Sequence, residues 1–165
     1  MIVLGIDPGL AIVGYGVISF ENNKDIALID YGTIETPAKT KVSQRLSSLA
    51  LGMNELVNKF APDAIAFEEL FFNTNQKTAI NVAQARGVLV HCASLYTQEL
   101  YEYTPLQVKQ SVVGYGRAEK EQVQLMVKTI CNLKTIPKPD DAADALAVAI
   151  CHINSYNVRF DSRIK

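Results

Sequence analysis

The sequence predicts an α/β domain, one mixed five-stranded sheet flanked by helices. Three observations point to it. Near the N-terminus three strand-like runs follow one another with only short turns between them. Two later apolar runs are each preceded by a long stretch of helical period, and from Pro105 onward the chain reads as helices separated by Gly and Pro. Strands joined by tight turns run antiparallel, whereas strands joined through helices run parallel. Strands 1–3 are therefore expected to form an antiparallel meander, with strands 1, 4 and 5 parallel.

Each element has a local reason. Ile2-Val3-Leu4-Gly5-Ile6 is an apolar run that ends at Asp7, and Pro8-Gly9 forces a turn after it. Gly14 to Phe20 and Ile26 to Ile34 read as the next two strands, with Glu21-Asn22-Asn23-Lys24 as a hairpin turn. Val42, Leu46, Leu49, Met53, Leu56, Val57 and Phe60 recur at three- and four-residue spacing, one apolar stripe of a helix that Pro62 terminates. Ala64-Ile65-Ala66-Phe67 is a fourth strand running into Glu68-Glu69, and residues 76–98 form a second long helix. Leu100 to Tyr103 is a short fifth strand. Pro105 suits the first position of the next helix, and Gly114-Tyr115-Gly116 breaks it. Residues 118–131 resume as helix, Pro137 and Pro139 punctuate, and a final helix runs from about Asp140 to Ile153. The domain is expected to span 1–154, with 155–165 a frayed tail lacking apolar period.

With 165 residues, a chain of this length suits one domain with a core of its own. Apolar residues make up 48% and charged residues 20%, which excludes a disordered chain. Cys92, Cys131 and Cys151 are odd in number and widely spaced, which suggests neither a disulfide framework nor a zinc site. Reduced thiols, no positive leader and no membrane-length apolar run give the expectation of a cytoplasmic protein with no membrane partner. Net charge is −1 but unevenly spread. Residues 1–36 carry Asp7, Glu21, Asp25, Asp30 and Glu35 against Lys24, while 105–138 carry Lys109, Arg117, Lys120, Lys128, Lys134 and Lys138 against Glu119 and Glu121. That asymmetry permits a basic face beside an acidic pocket, although ordinary solvated surface would look the same.

The acids carry the chemistry. Asp7 and Glu68 end strands expected to be parallel, so both fall on the edge of the sheet where such folds place their sites. Asp141 and Asp144 are three apart and share a helix face. Singly, each has an ordinary structural role available: Asp7 in a turn, Glu68 at an exposed strand end, Asp140 or Asp141 as a helix cap. Asp144 is harder to place that way, because Ala142-Ala143-Asp144-Ala145-Leu146-Ala147 is apolar on nearly every other side and is expected to be buried. Converging carboxylates repel, and a hard divalent cation such as magnesium or manganese is their natural compensation.

Six motifs, in order, complete a pattern. They are Gly5-Ile6-Asp7-Pro8-Gly9, Phe67-Glu68-Glu69-Leu70-Phe71, Ala83-Gln84-Ala85-Arg86-Gly87, Gln107-Val108-Lys109-Gln110, Gly114-Tyr115-Gly116-Arg117-Ala118-Glu119-Lys120, and Asp141-Ala142-Ala143-Asp144-Ala145-Leu146-Ala147. Together they resemble the RuvC-type Holliday-junction resolvases of bacteria, from Met1 to about Asn154. The resemblance implies a ribonuclease-H-like fold and a homodimer. It implies two Mg2+ ions, with Mn2+ as a substitute, held by Asp7, Glu68, Asp141 and Asp144. It implies paired, symmetric nicking of a four-way DNA junction in recombination and repair, leaving 5′-phosphate and 3′-hydroxyl ends, and a branch-migration helicase complex as a partner. Glu68 rather than Glu69 matches the family acid, because an aromatic follows it by three residues at Phe71. Position 141 is His in some relatives and Asp here.

For DNA contacts the resemblance points to Lys109 and Lys120 on phosphates and to Phe71 stacking on a base. Arg117 and Arg86 are further candidates, although mid-helix Arg86 by default snorkels to the surface. His91 and His152 lack spaced partners and read as structural. Two other functions compete. Gly5-Ile6-Asp7-Pro8-Gly9 with Gly14 also resembles the phosphate loop of actin-like and sugar-kinase-like ATPases, but those use two such domains around the nucleotide, and 165 residues suit only one. The other is a related nuclease acting on structured RNA. A DNA-binding module without catalysis is disfavoured by the intact set of four acids.

If Phe71 stacks on a base, Phe71→Ala is expected to slow junction cutting by about tenfold to a hundredfold, because a stacked aromatic returns about 1–3 kcal/mol toward unstacking the crossover. Its melting temperature should stay normal, and a junction with unpaired central bases should restore part of the rate. A lowered melt with normal cutting would make Phe71 a core residue instead.

Overall fold

The computed structural model describes residues 1–21, 26–70, 76–156 and 162–164. Most of the expected hairpin turn and all of Phe71–Asn75 therefore lie outside the described residues. The elements are β1 (Ile2–Asp7), β2 (Ile12–Ser19), β3 (Ala27–Glu35), α1 (Val42–Phe60), β4 (Ala64–Glu68), α2 (Gln76–Tyr96), β5 (Leu100–Tyr103), α3 (Pro105–Val113), α4 (Lys120–Ile130) and α5 (Asp140–Tyr156). The sheet order is β3-β2-β1-β4-β5. β1 pairs antiparallel with β2 and β2 with β3, while β1 pairs parallel with β4 and β4 with β5. This is the predicted mixed sheet, and its arrangement is ribonuclease-H-like.

Alternation along the strands divides the core in two. Leu4, Ile6, Ile65 and Phe67 face α1 and α2, burying Leu49, Met53, Ala85 and Leu89. Val3 and Ala66 face the other way, toward α5, α3 and α4, where Val108, Val123, Leu146 and Ile150 are buried. α5 is the central helix of that second layer. Eleven of its 17 residues are buried, which its nearly all-apolar sequence requires.

Helix α5 lies unusually close to the sheet because the strands beneath it carry glycine. A Cβ on Gly5 would fall 2.2 Å from the Ala145 carbonyl oxygen, one on Gly14 1.9 Å from that of Asp141, and one on Gly16 2.7 Å from the Leu146 side chain. No side chain fits there, so the helix backbone rests on the strand backbone.

Short motifs fix the other helices. Thr104 caps α3: its hydroxyl accepts from the Gln107 N–H at 3.2 Å, and its own N–H donates to Gln107 Oε1 at 2.8 Å. Pro105 opens the helix as expected, and Gly114 closes it at φ 95°. Several boundaries shift. β2 starts at Ile12 rather than Gly14, α2 stops at Tyr96, and α4 begins at Lys120 because Glu119 serves as its cap, with the Glu119 N–H donating to Gln122 Oε1.

The expectation of a frayed tail is corrected at both described ends of it. α5 continues to Tyr156, whose ring packs on His152 with centroids 5.9 Å apart. Ser162–Ile164 then pairs with β5: the Glu102 N–H donates to Ser162 O at 2.8 Å and the Ile164 N–H to Leu100 O at 3.0 Å. Arg163 adds an ion pair to Glu99 at 2.9 Å. An open sheet edge offers backbone partners whatever the side chains, so pairing here needs no apolar period. His152 is structural, as read: it is buried, with Nδ1 2.9 Å from the Tyr103 hydroxyl, and burial lowers its pKa to about 4.

Gly14→Ala is expected to lower stability by roughly 1–3 kcal/mol, the usual cost of overpacking a closed site. Gly87 is the contrast: exposed in the middle of α2 with open space around it, its change to Ala should raise the melting temperature through helix propensity, by up to about 1 kcal/mol. A Gly14→Ala protein that melts like the parent would show that α5 is not seated as described.

Candidate active site

Asp7 and Glu68 are the last residues of adjacent parallel strands, one step past the paired Ile6 and Phe67. Ile6 and Phe67 face α1 and α2, so by alternation both acids point to the α5 side. Asp7 pairs with Gly14 across β1–β2, and Gly14 is where the backbone of Asp141 touches the sheet. One glycine thus sets Asp141 directly over Asp7. Asp144 stands one turn further along α5 on the same face.

The electrostatics record the convergence. Burial raises the pKa of Asp7 well above its ordinary value, and Glu68, Asp144 and Asp141 push it further. Glu68 is pushed up to about 7, first by burial and then by Asp144, against its hydrogen bond with Asp7 and the charges of Lys120 and Lys109. Asp144 is raised by burial, with Lys120 opposing. Both shifts favour retention of a proton by the hydrogen-bonded Asp7–Glu68 pair over full ionisation. Glu69 exerts no such influence on Asp7. Its N–H donates to Tyr103 O at 2.9 Å, continuing the ladder, and its side chain alternates away.

Glu68 and Asp144 line a cleft of about 190 Å³, together with Lys109, Lys120 and the apolar Val108, Val123 and Ala147. Lys109 projects from α3 and Lys120 from the start of α4. Lys120 Nζ lies 3.0 Å from Asp144 Oδ2 and 3.6 Å from Asp140 Oδ2. A roomier hollow of about 970 Å³ lies between the β2–β3 end and the C-terminal ends of α4 and α5, among Phe20, Leu28, Ile130 and Ile153, with no carboxylate among the described residues of its wall. The chemistry belongs to the smaller cleft.

The donor set suits a hard cation: every candidate ligand is a carboxylate oxygen, the charges are mutually unfavourable, and the Lys120 ammonium already stands against Asp144 as a cation. Among the described residues no three acidic, histidine or cysteine side chains are already drawn into a closed cage.

The other residues read from the sequence are distributed as follows. Arg86 lies on the opposite layer, its guanidinium 2.6 Å from Glu102, and the structure does not bring it to the acids. Arg117 is exposed in the segment between α3 and α4. Phe71 is outside the described residues. Two contributors were not read from the sequence. Gly14 could have been found as the glycine facing Asp7 in a meander. Asp140, read as a helix cap, is the first residue of α5 and holds Lys138 at 2.6 Å as well as Lys120. Nothing in the spacing signals that bridge.

A ribonuclease-H-like sheet with acids ending β1 and β4, completed by two from α5, defines an α/β domain with a carboxylate-lined cleft at the carboxyl edge of its parallel strands. The family model described as crossover junction endodeoxyribonuclease RuvC matches residues 3–152. The curated RuvC of Ruminiclostridium cellulolyticum is 61% identical over 158 residues, covering 96% of this chain and 95% of its own, and that of Alkaliphilus metalliredigens is 59% identical over 155 residues, 94% of each. The solved structure of Thermus thermophilus RuvC in complex with Holliday junction substrate superposes with a TM-score of 0.93 at 34% identity, covering 99% of both chains. The chain belongs to the RuvC family of crossover junction endodeoxyribonucleases.

The raised acids carry a pH signature. A carboxyl whose folded pKa lies above its unfolded value binds its proton more tightly in the folded state, so its contribution is full below the unfolded value and is lost as pH rises through the folded one. For Glu68 that window runs from about 4.5 to about 7, and Asp7 shifts in the same direction. Without divalent ions, the melting temperature attributable to this site is expected to fall between pH 5 and pH 8, and Glu68→Gln should flatten that fall. Parallel pH profiles for parent and variant would contradict the assignment.

Proposed function

We propose that the protein is a structure-specific endonuclease that resolves four-way DNA junctions by paired, symmetric phosphodiester hydrolysis in recombination and repair. The observation that carries this is the electrostatic influence of Glu68, Asp144 and Asp141 on buried Asp7, in a fold that superposes over 99% of the chain with a RuvC solved in complex with Holliday junction substrate. The four acids are the proposed holders of two Mg2+ ions, with Mn2+ able to replace them. Such a pair of ions supplies activation of the attacking water and stabilisation of the leaving oxygen. The chain's own groups do the rest. Asp7 and Glu68 give up the proton between them so that both carboxylates are free as ligands. Lys109, on the rim of the cleft beside Glu68, attracts a phosphate oxygen without reading sequence. Val108, Val123 and Ala147 keep one wall apolar and limit the water that reaches the site.

A two-fold symmetric junction calls for a two-fold protein, so we propose a homodimer with one site per strand to be cut. Its proposed surface is the exposed apolar side chains of α2, Ile80, Leu95 and Tyr96, since the Ala- and Val-rich face of that helix buries Ala85 and Ala93 in the core. Phe71, Arg117 and Arg86 are proposed to touch DNA; for Arg86 this requires release from Glu102. No helix among the described residues is long and apolar enough to cross a membrane. Cytoplasmic action beside a branch-migration helicase completes the reading. Full-length membership of the RuvC family leaves the single-domain ATPase without support, and digestion of a structured RNA beside a junction separates the RNA nuclease.

With a labelled synthetic four-way junction, magnesium-dependent nicks should appear at symmetric positions. Asp7→Asn, Glu68→Gln, Asp141→Asn and Asp144→Asn should each abolish them while junction binding persists, and Glu69→Gln should retain most of the activity. Full cutting by Asp144→Asn would remove that residue from the site, and a dead Glu69→Gln beside an active Glu68→Gln would shift the acid by one position.

A further inference from the structure

Lys120 acts on Asp7, Glu68 and Asp144 alike. It is also shared. Its Nζ lies 3.0 Å from Asp144 inside the cleft and 3.6 Å from Asp140 outside it. Asp140 is held from the other side: Lys138 donates to its Oδ1 at 2.6 Å, which leaves Oδ2 turned to Lys120. Asp140 and Asp144 are four apart on α5, one turn, so the two carboxylates form a short ladder along which an ammonium can move without leaving negative charge. Lys120 is the first residue of α4, about half exposed, with a flexible stem anchored at a capped helix start.

Building on the divalent-ion reading of the cleft, we propose that Lys120 is a resident counter-ion of the ion-free site and that Asp140 is a positioning residue, the outer berth onto which Lys120 withdraws when Asp144 takes up a divalent ion. The reasoning is one of charge. An ammonium 3.0 Å from Asp144 occupies the same carboxylate that an ion needs, and two cations there repel. Without a second anion, displacing Lys120 would mean sending it into solvent. With Asp140 one turn away, displacement exchanges one ion pair for another. Lys120 is then held at the rim of the cleft, no longer neutralised by Asp144, where a phosphate oxygen can use it. Ion binding and readiness for DNA are thereby joined in one side chain.

The test is a double-mutant cycle on Mn2+ affinity of the full chain without DNA, read by electron paramagnetic resonance of free Mn2+. Lys120→Gln should tighten Mn2+ binding by about threefold to tenfold, because the competitor is gone. Asp140→Asn should weaken it by a similar factor when Lys120 is present, since the ammonium then stays on Asp144. In the Lys120→Gln background the same Asp140→Asn change should alter affinity less than about twofold, and Asp140→Glu should restore the parent value. Equal weakening by Asp140→Asn in both backgrounds would make Asp140 a plain nearby charge and overturn the proposal, as would unchanged affinity in Lys120→Gln. A parent protein that binds no Mn2+ would instead overturn the divalent-ion reading itself, and this inference with it.

Discussion

The contact on which the rest of the structure depends is the seating of α5, backbone against backbone, on β1 and β2. Gly5 and Gly14 bring strand backbone against the backbone of alanine-rich α5, and Gly16 makes room for the Leu146 side chain. An ordinary helix-on-sheet contact keeps interdigitated side chains between the two layers. Removing that layer at Gly14 is what brings an aspartate on a helix close enough to act electrostatically on an aspartate on a strand. The same contact explains why α5 is buried so completely: it fills the middle of its layer, with α3 and α4 packed around it.

The close seat carries an electrostatic cost. It gathers acids that would separate if they were free to, in surroundings that already disfavour their charge. The fold limits that cost in three local ways. Burial favours a proton on the Asp7–Glu68 pair, Lys120 stands against Asp144, and the charge of Lys109 acts on Glu68. Each of these is removable, in contrast to the aliphatic packing around them. Strain confined to replaceable protons and side-chain cations is what a site awaiting a cation and a polyanion should show, because binding then relieves what folding left unfavourable.

Much of the architecture was legible because it is written in period and punctuation. The stripe from Val42 to Phe60, the apolar run ending at Asp7, the helix-opening Pro105 and the acid at position 144 inside an alanine helix each have a single dominant local reading. What was not legible depends on distance in sequence. The pairing of Ser162–Ile164 with β5 rests on backbone groups that any sequence possesses, so the tail gave no signal. Asp140 reads as a cap from its neighbours alone, and its hold on Lys120 follows only from where α4 begins relative to α5. Arg86 sits in a motif of the family, yet its partner Glu102 is a product of the α2–β5 contact. Gly14 is intermediate: its role follows from pairing with Asp7, which the meander implies, together with a helix position that it does not.

The elements that hold the site also explain why its cations and anions come from different layers. The acids rest on β1, β4 and α5, whose mutual positions are set by buried backbone. The lysines are carried by α3, which begins at a cap just beyond β5, and by α4, which begins at its own cap and packs on α3 and α5. Thr104 caps α3 one residue after β5, so Lys109 is positioned by the strand neighbouring Glu68. Tyr103 is paired with Glu68 in that register and reaches through its hydroxyl to His152, eight residues beyond Asp144 on α5. Strand and helix are thus tied together below the acids by a buried hydrogen bond, while the lysines above them hang on flexible stems. Rigid anions and lysines on flexible stems are the division of labour that the proposed phosphodiester chemistry would require: ligand positions that hold when charge is removed, and cations that adapt to a distorted backbone.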